Sequence, residues 1–138
     1  MALQHSTGQR NGALDGTKPV GNPTYNAGYL SFVSTTFAPD AAAGGWLGNQ
    51  ALASPAFGAP VGGVLTLAAT TPGSFGATGT CVQAYLCQAN EDGSATTTRA
   101  RILGTVSAPG GGGDTIVSST AFVANGQITI TSLTYTHT

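Results

Sequence analysis

Apolar and polar residues alternate over short runs, and Gly, Pro, Asn and Asp separate the runs. This period-two rhythm predicts β-strands. The clearest run is 80–88. Val82, Ala84 and Leu86 fall on one side of it, and Cys81, Gln83, Tyr85 and Cys87 on the other. Both sides are partly apolar, as in a central strand covered on two faces. Asn90-Glu91-Asp92-Gly93 follows with hairpin-turn chemistry, because Asp-Gly readily takes positive φ. The partner strand is 96–107, with Ala100, Ile102 and Val106 inward and Arg99, Arg101 and Leu103 outward. Further strand signals lie at 27–35, around Tyr29, Phe32 and Val33, and at 62–70, around Val64, Leu65 and Leu67. Pro72-Gly73 then marks a turn.

Short strands at 115–118 and 121–124 lead to Asn125-Gly126, a type I′ signal, and to a last strand over 127–137. Ile128 and Ile130 share one face of that strand. The pattern slips by one place at Ser132, so that Leu133 and Tyr135 take over, which predicts a β-bulge. Three alanines at 41–43 are limited to one helical turn by Pro39 and Gly44-Gly45. Trp46 and Leu47 are expected to anchor the return into the core. About eight short strands, with no helix beyond two turns, predict an all-β, single-domain β-sandwich or jelly roll over 27–138.

Residues 1–26 break the rhythm. Gly12, Gly16, Pro19, Gly21 and Pro23 interrupt any period, and no helical spacing of apolar residues is visible. The segment reads as an extended N-terminal arm laid on a neighbour. Leu3, Leu14, Val20 and Tyr25 would be its spaced anchors, with Arg10 and Lys18 meeting acidic groups of a partner.

Charge changes the picture most. The chain has nine charged side chains in 138 residues, 7% against roughly 25% in ordinary soluble domains, and a net charge of −1. A free monomer usually relies on mixed surface charge for solubility. A Thr-, Ser-, Ala- and Gly-rich surface suits a protein much of whose exterior is covered by other protein. No apolar run approaches the ~18 residues of a membrane span, and the first residues lack the basic-then-apolar layout of a secretion signal. The expectation is a protein made and used in a cytoplasm, without membrane partners.

Candidate chemistry is sparse. Glu91 and Asp92 are adjacent in a turn and read as solvated rather than as an acid–base pair. His5 and His137 lie near the termini. Neither a Gly-x-Ser-x-Gly elbow nor a Gly-Lys-Ser/Thr phosphate loop is present. Cys81 and Cys87, six positions apart in one strand, would be ~20 Å apart, too far for a disulfide, so they are expected as reduced, buried thiols on one strand face. Two cysteines and two histidines make a poor metal set. The expectation is a non-enzyme with no cofactor and no metal. Four cations make no nucleic-acid footprint, but Arg99 and Arg101, together on one strand face, are candidates to meet a partner's carboxylates.

Several segments carry a resemblance. Leu52-Ala53-Ser54-Pro55-Ala56-Phe57-Gly58-Ala59 leads to Gly62-Gly63-Val64-Leu65-Thr66-Leu67. Asp92-Gly93-Ser94 and Gly104-Thr105-Val106-Ser107 follow, and the series closes with 126–135, Gly-Gln-Ile-Thr-Ile-Thr-Ser-Leu-Thr-Tyr. Over about residues 50–137 this order resembles the small β proteins encoded among virion structural genes of tailed bacteriophages. Size, β content and low charge are similar to their capsid decoration, or cement, proteins. The resemblance implies a jelly-roll-type protein that binds the outer capsid surface, with the major capsid protein as partner, assembled in the host cytoplasm. It also implies a homo-oligomer, with a dimer favoured over a trimer. The alternatives are a phage tail or baseplate component or carbohydrate-binding adhesin module, and a lectin-like cellular protein, for which Trp46 would be the residue to test.

Overall fold

The computed structural model describes residues 3–68, 75–127 and 129–136. The Pro72-Gly73 turn, Ile128 and His137 lie outside the described residues. In chain order the elements are β1 (Gln4–His5), α1 (Thr7–Asp15), β2 (Tyr29–Val33), β3 (Trp46–Ala51), β4 (Val64–Thr66) and β5 (Gly79–Thr80). Then come β6 (Gln83–Cys87), β7 (Arg101–Ser107), β8 (Thr115–Val117), β9 (Ala121–Phe122) and β10 (Ile130–Thr136). The chain is all-β, with one short helix among the described residues.

The main sheet runs β3-β2-β6-β7-β8-β10-β4, and β5 pairs with β9 in a separate ribbon. Among the described residues every strand pairing is antiparallel except β7 with β8, which are parallel through Val106 and Ser107. The sheet curls into a sandwich around one core. Leu30, Phe32, Ala84, Leu86 and Ile102 reach it from the β2-β6-β7 half, and Val117 and Leu133 from the β8-β10 half. At its centre Phe32, Phe75 and Phe122 stack edge and tilt, with ring centroids 4.4–5.7 Å apart. Such packing adds to simple burial because ring edges meet ring faces. The pairing of β10 with β8 shifts register between Ile130 and Ser132. Ile130 and Leu133, an odd number apart, therefore both reach the core, as the slipped alternation predicts.

The N-terminal segment departs from the extended-arm reading. β1 adds to β7, Gln4 opposite Leu103 and His5 opposite Ile102. Ser6 then caps α1: its backbone is extended, and its hydroxyl accepts from Gln9 N at 3.1 Å. Gly16 closes the helix at φ 78°, a left-handed conformation that glycine adopts without strain. The helix has nine residues, about two and a half turns and slightly beyond the expected limit. Its buried face is Gly8, Gln9 and Gly12 rather than an apolar stripe. A Cβ on Gly8 would collide with the backbone of Thr98 and Arg99, so only glycine lets the helix lie this close to the strand leading into β7. Tyr25 is fully buried and bonds to the Gln9 carboxamide, while Leu3 and Val20 pack against the core. Residues 3–26 thus belong to the domain.

The alanines at 41–43 form no helical turn. Leu47 does enter the core, but Trp46 stays 50% exposed. The cysteines are also placed differently from expectation. Cys87 ends β6 and packs with Val33, Tyr85 and Leu103 on its outer face. Cys81 precedes the strand, bonds its N–H to Thr120 O at 2.8 Å, and packs into the core. The break at Val82 separates the two thiols onto opposite faces. Both are buried and free. Burial pushes Cys81 up to about 11 and Cys87 up to about 12, so neither is a thiolate near neutrality. A thiol reagent at pH 8 should find no fast-reacting group in the native protein and two after denaturation. A fast-reacting native thiol would contradict this burial.

Candidate functional site

The outer face of β3-β2-β6-β7 is the part of the sheet that faces away from the core. Its cross-strand rows are Ala51–Tyr29–Cys87–Arg101, Asn49–Ser31–Tyr85–Leu103 and Trp46–Val33–Gln83–Thr105. Two long connections, residues 34–45 and 88–100, fold back over the β6-β7 end. Phe37 stands edge-on to Tyr85 with centroids 5.2 Å apart, and its N–H donates to Gln83 Oε1.

Arg101 holds these connections down. It is fully buried, and all its donors are engaged. Nε donates to Glu91 Oε2 at 2.8 Å and Nη2 to Glu91 Oε1 at 2.5 Å, a bidentate pair. Nη2 also reaches Ser94 O at 2.5 Å, while Nη1 donates to Ala41 O at 2.7 Å and Pro39 O at 3.3 Å. The guanidinium carbon lies 5.8 Å from the ring centroids of both Phe37 and Tyr85. Glu91 accepts a further bond from Gly93 N at 2.8 Å. Arg99 extends the cluster through Asp92 Oδ1 and Ser94 Oγ, both at 2.7 Å. Its Nε is 3.7 Å from Glu91 Oε1, within ion-pair reach but without a hydrogen bond.

The electrostatics follow from this geometry. Burial alone would raise the Glu91 carboxyl, but the Arg101 hydrogen bonds, the Gly93 N–H and the two guanidinium charges outweigh it and hold it below the usual range. For Arg101 burial works against the charge, and the contacts with Glu91 reverse that and raise it. The pair therefore stays ionised, and it ties residues 39–41 and 91–94 to β7.

Beyond this clamp the β3-β2 end of the face stays open. It forms a concave pocket of about 470 Å³, lined by Tyr29, Ser31, Trp46, Asn49 and Tyr85 and bordered by Asp92.

Comparison with protein-family models, curated proteins and solved structures finds no match.

The residues expected to meet a partner divide into two sets. Leu3, Val20 and Tyr25 face inward. Arg101 faces the outer side of the sheet, as its alternation predicts, but the two connections cover it. Arg99 keeps only 18% side-chain exposure and is held by Asp92. Glu91, expected in a solvated turn, keeps 4%. Lys18 is half-buried and bonds to Thr98 O. Leu14, 89% exposed, and the exposed Arg10 remain outside, one helical turn apart on α1. Sequence reasoning missed the Arg101–Glu91 clamp, because nothing in the spacing shows that a ten-residue separation closes into a bidentate pair. It also missed α1, although Ser6-x-x-Gln9 has the form of a capping box.

Proposed function

We propose that this chain is a virion structural protein that decorates the outer surface of a major capsid protein shell and stabilises its expanded form. The observation that supports the reading most is where the nine charges go. Glu91 and Arg101 pair inside the fold, and Arg99 pairs with Asp92. Asp40 accepts from Thr7 and Asp114 from Thr105. Arg10, Asp15 and Lys18 gather on or just beyond α1. Outside that corner and the 91–99 connection the exterior is close to neutral, and it exposes Val61, Val82 and Val123. Such a surface meets another protein with little charge desolvation.

A protein that binds the expanded shell and not its precursor shifts the shell toward expansion by mass action, and many copies of a modest contact add up. The chain acts as a homo-oligomer, a dimer in preference to a trimer, with α1 as one contact through Leu14 and Arg10. Purified protein added to expanded capsids that lack it should bind in many copies per particle and raise the temperature at which the shells rupture. A monomer that leaves such capsids unoccupied overturns the reading. A stoichiometry of a few copies at the tail overturns it in favour of a tail role. Leu14→Lys should lower capsid occupancy about tenfold while stability stays within about 0.5 kcal/mol, because the side chain is already in water and a cation suits the last turn of α1. Unchanged occupancy would remove α1 from the contact.

A further inference from the structure

The open pocket on the outer face is built by a local irregularity in β3. Phe32 pairs with Gly48 and Val33 with Trp46, so Leu47 is an extra residue between them. Leu47 turns into the core. In a regular strand Trp46 and Asn49, three positions apart, would lie on opposite faces. The bulge re-aims one against the other, and both line the same pocket with Tyr29 and Ser31 of β2 and Tyr85 of β6.

The indole is supported from outside the pocket. A Cβ on Gly76 would lie 2.9 Å from Trp46 Cζ3, so the glycine lets the ring rest against the chain while Trp46 remains half exposed. Around it, hydrogen-bonding capacity is unspent. The Trp46 indole N–H, the Tyr29 hydroxyl and the Asn49 carboxamide have no side-chain hydrogen bond among the described residues. The charges at the border are partly committed: Glu91 is held by Arg101, while Asp92 is held by Arg99 through Oδ1 and stays 63% exposed at its side chain.

We propose that this pocket binds a neutral carbohydrate. A flat aromatic surface packs against the C–H face of a pyranose ring. A carboxamide both donates and accepts, which matches a pair of neighbouring hydroxyls, and a phenol adds a third bond. Among the described residues no cation lines the pocket, and its two carboxylates, Glu91 and Asp92, repel an anion, which disfavours an acidic ligand. The volume, about 470 Å³, lies within the range of roughly 300–1,000 Å³ usual for small-molecule sites. The site is independent of the capsid contact proposed for α1, so either can fail without the other.

Trp46 is the only tryptophan, so intrinsic fluorescence of the full chain reads this pocket directly. The probes are glucose, galactose, mannose, N-acetylglucosamine and their β-linked disaccharides, with sialic acid, glucuronate and a short peptide as controls. At least one should give a saturable spectral shift, with a Kd on the order of 0.1–10 mM. Asn49→Ala and Tyr29→Phe should each weaken it by about three- to tenfold, the loss of one neutral hydrogen bond. Unchanged melting of each variant excludes misfolding. Should a variant melt lower, saturation-transfer NMR on the unsubstituted protein decides: transfer to the ring protons of the sugar supports the site, and none refutes it. No saturable response to any probe up to about 50 mM, ten times a mid-range Kd of this order, overturns the proposal. So does saturation that both variants leave intact, or a response confined to sialic acid, glucuronate or peptides.

Discussion

Arg101→Met should lower the unfolding free energy by about 3–5 kcal/mol at neutral pH, because it leaves the Glu91 carboxylate buried without its partner. The substitution also strips donors from the carbonyls of Pro39, Ala41 and Ser94 and removes the cation between Phe37 and Tyr85. For a domain of this size the loss corresponds to a melting temperature lower by roughly 10–20 °C. The pH dependence separates this cause from a simple packing defect. In the native protein the Glu91 carboxyl is held below its unfolded value. Its contribution is therefore fully present above the ordinary Glu range and is lost as pH falls through the folded value. In the variant only the Gly93 N–H and the Arg99 charge are left to oppose burial, so the carboxyl is held down much less. The gap between the two proteins should be widest at neutral pH and shrink below about pH 4, the unfolded carboxyl range. Adding Glu91→Leu to the variant should restore part of the loss, since replacing both members of a buried pair costs far less than orphaning one. A gap that is constant from pH 3 to 8, or a loss under about 1 kcal/mol, would show that the pair is not the clamp described here.

Deleting residues 2–20 should have an effect of similar size. A detachable tail would leave melting unchanged. Instead, Ser6 alone makes a set of bonds with the start of β7. Its hydroxyl donates to Arg99 O at 3.0 Å and accepts from Arg101 N at 2.9 Å, and its own N–H donates to Arg101 O at 3.0 Å. Thr7 binds the Asp40 carboxylate through both N–H and hydroxyl. Removing the segment leaves these groups unpaired, uncovers core beneath Leu3 and Val20, and deprives Tyr25 of Gln9. At about 1 kcal/mol per net hydrogen bond and about 25 cal/mol per Å² of apolar surface, the loss is about 5 kcal/mol or more. That is a large share of the 5–15 kcal/mol typical of a whole domain. Calorimetry of the truncated chain checks this, and a melting temperature within about 2 °C of the full chain, under 1 kcal/mol at this size, would return residues 2–20 to the status of a tail.

The period-two signal was legible where strands keep their alternation. β2, β6, β7 and β8 and the slip at Ser132 were all visible in it. Alternation also placed Arg101 on the same face as Leu103, which is correct. The error was to equate that face with solvent, since coverage by the 34–45 and 88–100 connections is a tertiary property that no strand pattern carries. α1 was hidden for the opposite reason. Its buried face is made of Gly8, Gln9 and Gly12, residues that pattern reasoning assigns to loops. β3 escaped because Gly48 and the Leu47 bulge interrupt its rhythm, and the same bulge carried Trp46 out of the core. Cys81 was misplaced by starting the clean run of β6 at residue 80, three residues before its true start at Gln83.

The bond between Ser6 and Arg101 spans 95 positions of the chain. During synthesis at about 5–20 residues per second, the first strand and helix therefore wait roughly 5–20 s for the strand they dock on. Through that interval the nascent chain carries an unpaired strand edge and a nearly uncharged sequence, with little self-repulsion to keep copies apart. Protein made quickly and in many copies would be most exposed to misassembly at this stage. Having fewer chains in synthesis at one time, for instance from a weaker promoter, should raise the soluble yield more than changes made after the chain is complete.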